Sequence, residues 1–352
     1  MIKVIKRGEL TLSGAIASYS LIALAALILG GAFVALSGVN PFEYFTSVFL
    51  RCFKTQLAVQ GLVNIFTTLL IVSLGVTVAF KLKFWNIGAE GQVIIGAVGA
   101  TLASRMMPDS PPYIVLPAMM ITAVVFAGIY GMIPAALKCR FGTNETLLTL
   151  MMNYIAFYLV DFLQNNLWNE GKGFPKIASL LENSHVPRII KFDVSVIIAL
   201  VLVVLVYFYL KKTKQGYEIA VTGDSENTAR YAGMNVTAVT LRTVFISAGI
   251  AGLAGVLKVA GDSTNYTLSS GIASNVGFTA ISVAWLARLH PVGVVFVTLL
   301  FAILEKGCSA VESTFFISSA VTGIIKAIVL FVILGGDFFL RYRIKLGGGK
   351  AE

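Results

Sequence analysis

Ten apolar stretches dictate the fold class of this chain. They cover residues 16–36, 57–80, 89–107, 114–137, 146–163, 194–210, 243–260, 272–287, 292–304 and 316–335, and a helix needs about 20 apolar residues to cross a bilayer. Backbone amides find no water inside a bilayer, so such stretches must close their hydrogen bonds within helices. The first stretch follows Lys3, Lys6 and Arg7 in the manner of a secretory leader. Its length of about 20 residues exceeds the roughly 7 to 15 of a leader's apolar region, and it reads as an uncleaved first span. Composition agrees: 57% of the 352 residues are hydrophobic and 12% charged, whereas a soluble domain carries about 25% charged residues. The expectation is an all-α polytopic membrane protein with about ten transmembrane helices, some of them interrupted, in a single domain over 1–352.

The formal net charge is +10, with 27 Lys and Arg. With the N-terminus inside, 17 of these cations fall on the inner side and nine on the outer, and Lys326 is left within the last stretch. Cytoplasmic loops are enriched in Lys and Arg, so both termini are expected to be cytoplasmic. The same excess fits contact with anionic membrane lipid and calls for no nucleic acid. Cys52, Cys139 and Cys308 form no CxxC pair, and His185 and His290 lack a partner four residues away. No metal site and no bound cofactor are expected.

Two polar segments are too long for helix connectors of about 2 to 8 residues. Residues 164–193 fall outside, with Gly171, Gly173, Pro175 and Pro187, and read as an ordered external loop or short surface helix. Residues 211–242 fall inside. There Asp224 or Ser225 is placed to cap a short helix starting near Glu226, and Gly233 to end it in the left-handed conformation. That helix, with Glu226, Asn227, Arg230 and Tyr231, is either a handle for a partner or a solvated loop helix.

The apolar pattern breaks in two further places. Residues 83–92 contain Asn86, Gly88, Glu90, Gly91 and Gln92 at the entrance of a span; the glycines permit close backbone approach, and Glu90 is suited to the positive end of a helix. Residues 269–282 contain Asn275, Gly277, Thr279 and Ser282 ahead of a short span. Paired Gly-bearing interruptions in the two halves of a membrane chain point to a pathway near the midplane. Asn144 and Glu145 open another span, with Thr143 as a possible cap and Asn153 about two turns further along. Lys326 is costly at the centre of a span and so is paired or functional, unless its long stem lets it snorkel. Asn86, Glu90, Gln92, Asn144, Glu145, Asn153, Asn275, Thr279 and Lys326 are therefore the candidate translocation residues. No GxxxxGK[ST], GxSxG or HExxH motif is present, so no ATP-hydrolysing or other catalytic group is assigned.

Three segments in order carry a resemblance: NIGAEGQ at 86–92, FGTNETLLTLMMNYIA at 141–156 and QGYEIAVTGDSENTARYAGMNV at 215–236, with Arg288 and Pro291–Gly293 near the end. Together they are similar to the permeases of the branched-chain amino acid, simple sugar and nucleoside import family of ATP-binding cassette (ABC) transporters. The likeness covers nearly the whole chain from the second span onward and is greatest toward the larger permease of bacterial nucleoside importers. It implies a multi-pass protein of the cytoplasmic membrane of a bacterium. It also implies a separate ABC ATPase, a second homologous permease as heterodimer partner and a substrate-binding lipoprotein. Glu226, Asn227, Arg230, Tyr231 and Gly233 would belong to a coupling helix for the ATPase. The solute would be a nucleoside or, as the alternative, a simple sugar. A secondary transporter driven by ions is the rival from another class; it accounts for the broken helices but gives no role to 211–242.

Overall fold

The computed structural model describes residues 2–6, 12–171, 173–189, 192–261 and 266–346. Of the cations counted above, Arg7, Lys172, Lys191 and Lys350 lie outside the described residues. The chain runs through α1 (Leu12–Leu36), α2 (Pro41–Lys54), α3 (Gln56–Lys81), α4 (Ala89–Met106), α5 (Pro112–Phe141) and α6 (Glu145–Phe162). It continues through α7 (Ser195–Lys212), α8 (Lys214–Asp224), α9 (Glu226–Tyr231), α10 (Val236–Ala260), α11 (Val276–Leu286), α12 (Pro291–Phe315) and α13 (Ser319–Arg341). Eight of these are long and apolar enough to cross a membrane: α1, α3, α5, α6, α7, α10, α12 and α13. Helices α4 and α11 complete the ten predicted spans. Helix α4 is less apolar because it does not meet lipid; nearly all of it is buried within the chain.

Two short antiparallel ladders accompany the helices. Strand β2 (Arg188–Ile189) pairs with β3 (Phe192–Asp193) within the polar segment 164–193, and β1 (Ile2–Lys6) pairs with β4 (Tyr342–Leu346). The second ladder brings residues 2–6 and 342–346 to the same side, which requires an even number of crossings between them. Helix α11, with 11 residues, spans only about 16 Å at 1.5 Å per residue, about half of a bilayer core. It gives an even count only if the irregular stretch before it is the other half of one broken span.

The chain, expected as one permease domain, divides into two compact units, Met1–Val59 with Ile303–Glu352 and Gln60–Ala302. The larger unit is built on α4, α5 and α10, which meet through small residues. A Cβ at Gly96 would lie 2.3 Å from the Gly252 carbonyl oxygen, and one at Gly255 would lie 2.3 Å from that of Val93. On the other side, a Cβ at Gly252 would lie 2.6 Å from the Ala123 oxygen and one at Gly131 2.4 Å from Ala248 Cβ. Lipid tails are as apolar as leucine, so close van der Waals approach of this kind is what holds membrane helices together. Outward faces carry the large apolar side chains instead: Ile197, Leu200, Val204 and Phe208 of α7 are all exposed.

In the smaller unit, α1 packs along α13, and α2 turns its Tyr44, Val48 and Cys52 inward at helical spacing. Tyr44 Oη donates to Cys308 Sγ at 3.6 Å within a cluster that includes Val34, Val311 and Ile325. The opposite face of α2 exposes Phe42, Phe49, Leu50 and Phe53. Such an amphipathic helix with Asn40 as its cap and Pro41 at its start suits the membrane interface. It lay beyond the apolar pattern because Glu43, Arg51 and Lys54 interrupt it.

Several boundaries move from the expected ones. Helix α12 runs to Phe315 instead of stopping at 304, because Lys326 of α13 neutralises Glu305 across a 2.9 Å ion pair and the charge need not leave the helix. Helix α10 begins at Val236, seven residues before the apolar stretch, because the Asn235 side chain accepts from Ala238 N–H at 3.0 Å and caps it. Asn144, not Thr143, caps α6, accepting from Leu147 N–H at 3.2 Å.

Candidate functional site

The turn between α3 and α4 is a buried hydrogen-bonded hub. Asn86 and Gln92 pair their amides reciprocally, Asn86 Nδ2 donating to Gln92 Oε1 at 3.0 Å and Gln92 Nε2 to Asn86 Oδ1 at 3.1 Å. Asn86 Oδ1 also accepts from Gly88 N–H at 3.1 Å. From α6, Asn153 spans the next turn: its Oδ1 accepts from Gly91 N–H at 2.8 Å and its Nδ2 donates to the Ile87 carbonyl at 3.0 Å. One turn earlier on α6, Thr149 Oγ1 accepts from Ile87 N–H at 3.1 Å. The packing is tight here, since a Cβ at Gly88 would lie 3.0 Å from the Thr149 oxygen and one at Gly91 3.0 Å from Asn153 Oδ1.

Glu90 joins this hub to the second interruption. Its Oε1 accepts from Asn275 N–H at 2.7 Å and its Oε2 from Gly277 N–H at 2.6 Å. Both oxygens are acceptors, so the carboxylate caps the first turn of α11 rather than the helix that carries it. An anion at that end is favoured by the helix dipole and by charge-assisted hydrogen bonds. The approach is close enough that a Cβ at Gly277 would lie 2.2 Å from Glu90 N. Asn275 sits in the left-handed region at φ 63° with its side chain exposed, and Thr279 follows one turn later. The lead-in to α11 is also held from the polar segment 164–193. Tyr266 stacks on His185 at 3.7 Å between ring centroids, its carbonyl accepts from Leu180 N–H at 2.7 Å, and Thr267 Oγ1 donates to the Ile177 carbonyl. Ser184 in turn bonds Ser104 of α4 at 2.6 Å.

The segment predicted as an inner loop is mostly helical, broken at Thr213, at Ser225 and over 232–235. Thr213 caps α8, accepting from Gly216 N–H at 3.0 Å, and α8 lies against the end of α3, where a Cβ at Gly223 would meet the Lys81 oxygen at 2.4 Å. Arg242 of α10 donates to Glu218 of α8 at 2.8 Å. Ser225 then caps α9, and Gly233 just beyond it has φ +76°. Glu226, Asn227, Arg230 and Tyr231 all point out from α9, with Tyr231 94% exposed, and Ala229 alone is buried.

Asn144 and Glu145 belong with this end. Glu145 pairs with Lys138 at 2.7 Å, and both residues border a cavity of about 590 Å³ that reaches from the α5–α6 turn to Glu226 and Arg230 of α9. Trp85 reaches the same cavity and stacks on Trp285 of α11, with ring centroids 5.3 Å apart and planes at 14°. The nine candidate translocation residues thus separate into groups. Asn86, Glu90, Gln92 and Asn153 form one buried network with the start of α11, Asn275 is exposed at that start with Thr279 half-buried one turn on, and Asn144 and Glu145 border the cavity. Lys326 belongs to the smaller unit.

Comparison with known proteins names this architecture. Residues 57–334 match the model of the branched-chain amino acid transport system / permease component family. The chain belongs to this family. Among its relatives, the guanosine ABC transporter permease protein NupP of Bacillus subtilis is 30% identical over 92% of this chain and 95% of its own length. The glucose ABC transporter permease protein TsgB13 of Haloferax volcanii is 29% identical over 91% of this chain and 87% of its own. The nucleoside ABC transporter permease protein NupB of Lactococcus lactis is 26% identical over 89% and 90% respectively. The protein is therefore a multi-pass transport permease of the cytoplasmic membrane and not itself an enzyme. Sequence reasoning missed Thr149, Trp285 and Glu305 in this permease; their partners lie far along the chain, and no local pattern marks them.

Proposed function

We propose that this permease is the larger membrane subunit of an ABC importer for nucleosides. It works with a second, homologous permease, a separate ATPase that docks on α9, and a substrate-binding lipoprotein that presents the solute from outside. The observation that carries the reading is α9 itself: a capped helix of the larger unit, anchored by Ala229 and leaving Tyr231, Arg230, Asn227 and Glu226 exposed. A large aromatic exposed to this degree is the kind of anchor that dominates interfaces. An ion-coupled transporter has no use for such a handle. Similarity to NupP and NupB favours nucleosides as the solute, while the glucose permease relative keeps a simple sugar as the second reading.

Within this reading Asn275 faces the solute pathway, because an exposed polar group at a broken helix in a membrane needs water or solute beside it, and Thr279 stands one turn behind it with its hydroxyl on the Asn275 carbonyl. Asn86, Glu90, Gln92 and Asn153 hold that break in place. The Lys326–Glu305 pair gives the smaller unit a neutral polar contact at membrane depth. Asn144 and Glu145, with Lys138, brace the side of the cavity opposite α9.

The test is reconstitution of the permease with its ATPase and binding protein in proteoliposomes. Uptake of labelled guanosine is expected, with uridine and glucose as comparisons. Tyr231→Ala is expected to lower both uptake and binding-protein-stimulated ATP hydrolysis by about tenfold or more, the loss of one anchor side chain. Gly233→Val places a β-branched residue at φ +76°, a conformation that costs about 1–2 kcal/mol even for an unbranched L-residue. It should therefore shift the end of α9 and separate hydrolysis from uptake. Normal coupling in both variants would refute the role given to α9.

A further inference from the structure

Helix α11 presents two unlike faces. With 3.6 residues per turn, Gly277, Ala280 and Ala284 fall on one side, and all three are buried. Small residues are what membrane helices pack through, and this face is already occupied: a Cβ at Gly277 would meet Glu90 N at 2.2 Å. Asn275, Phe278, Ser282 and Trp285 fall within an arc of about 80° on the opposite side. Asn275, Phe278 and Trp285 are exposed, the two aromatic side chains at 40% and 37%, and Ser282 is half-buried. An amide, a ring, a hydroxyl and a ring thus follow one another along about 15 Å of helix.

Neither lipid nor another helix suits this stripe. The outward face of α7, with Ile197, Leu200, Val204 and Phe208, has no polar group, whereas hydrocarbon would leave the amide and hydroxyl of α11 unsatisfied. A packed helix would meet small side chains that allow close approach, not a phenyl and an indole standing out. A solute with a flat ring and hydrogen-bonding groups fits both kinds of side chain. The far end of the stripe already seats a ring: the Trp85 indole lies on that of Trp285 with planes at 14° and centroids 5.3 Å apart, and Phe80 closes on both at 5.3 and 5.9 Å. Trp85 holds that end, and Glu90 holds the other through Asn275 N–H, so the stripe is fixed at both ends.

We propose that this stripe is the wall of the solute pathway that selects ring-bearing solutes. Phe278 and Trp285 offer successive ring faces to a planar heterocycle, and Ser282, set between them, hydrogen-bonds its polar edge or an attached hydroxyl. Every base has a π-face that stacks on an aromatic side chain, whereas a simple sugar has the hydroxyls without the planar ring. The class that meets all three residues is a nucleoside. The assignment rests on the placing of Asn275 in the pathway under Proposed function, and it adds the residues that choose the solute.

The experiment labels Phe278→Cys, Ser282→Cys and, as the α7 control, Leu200→Cys with a charged, water-soluble thiol reagent. Each is in the full permease–ATPase complex in nanodiscs, and the natural protein sets the background. Labelling at 278 and 282 is expected about tenfold or more faster than at 200, because hydrocarbon excludes a charged reagent. Guanosine and uridine should slow it and glucose should not. Labelling no faster than at Leu200→Cys means that lipid or a partner chain covers the stripe. Labelling unchanged by guanosine and uridine, or slowed equally by glucose, means that no ring is selected there; each of these results overturns the proposal. In proteoliposomes, Phe278→Ala is expected to lower guanosine uptake at limiting solute by about tenfold, the worth of one stacked ring, and Phe278→Tyr, which keeps the ring, to lose much less. Equal loss in the two, or loss in neither, also overturns it. Guanosine uptake by the natural importer tests the transported solute on its own, so a failure there is read apart from a failure of the stripe.

Discussion

Gly96→Leu is expected to leave no folded permease, and Gly96→Ala to lower its melting temperature sharply. At Gly96 the first added carbon would meet the backbone of α10, with the Gly252 oxygen at 2.3 Å and its Cα at 2.5 Å. Backbone atoms do not swing aside as side chains do, so α4 and α10 must separate. Separation would be felt further, since a Cβ at Gly255 of α10 would lie 2.3 Å from Val93 O and one at Gly252 2.6 Å from the Ala123 oxygen of α5, which shows how closely these backbones approach. Overpacking costs about 1–3 kcal/mol in an ordinary core. At a junction of three helices it should reach or exceed the upper end for alanine. Gly335→Ala on α13 is the control, because nothing lies within 4 Å of its Cβ position and alanine favours helix over glycine by about 1 kcal/mol. Thermal unfolding in detergent, followed by size-exclusion recovery, should show loss for Gly96→Ala and no loss for Gly335→Ala. Equal melting of the two would mean that close approach of α4 to α10 does not hold the bundle.

What the sequence revealed depended on whether the cause was local. The eight long spans were legible because each satisfies its backbone within itself, and α9 was legible because Ser225 and Gly233 flank it at the positions a cap and a left-handed stop require. Helix α8 was not, since its placement rests on Gly216 and Gly223 meeting the backbones of α7 and α3. The close approach at Gly88 and Gly91 was foreseen, but the partner, α6, was not. Glu90 shows the limit most clearly. Its suitability for a helix N-terminus was readable, yet the natural inference was its own helix, and the one it caps begins 186 residues later. Lys326 was readable as a charge in need of a partner; that Glu305 is the partner follows only from how α12 and α13 pack.

Glu90→Ala is expected to abolish uptake even though no solute contact is assigned to the side chain. Removing the carboxylate strands the N–H groups of Asn275 and Gly277, which it holds at 2.7 and 2.6 Å. A buried donor left unpaired costs about 1–3 kcal/mol; Gly277 N–H is buried and that of Asn275 only partly so, so the start of α11 should lose at least about 1–3 kcal/mol, enough to loosen it. Glu90→Gln keeps the shape and one acceptor but turns an amide N–H toward a backbone donor, so it should retain part of the function. Glu90→Asp shortens the reach by one methylene and should resemble alanine. The left-handed Asn275 provides the companion test, because glycine adopts φ 63° without strain while valine does not. Asn275→Gly should therefore keep α11 ordered, and Asn275→Val should release it. Cysteine introduced at Ser274, which is exposed, reports the release through a changed rate of modification by a membrane-permeant thiol reagent. Coupled loss of uptake and change of that rate in Glu90→Ala and Asn275→Val, with both retained in Asn275→Gly, would establish that the carboxylate acts by placing the broken helix. Lost uptake with an unchanged rate at Ser274 would instead make Glu90 a direct participant in the pathway.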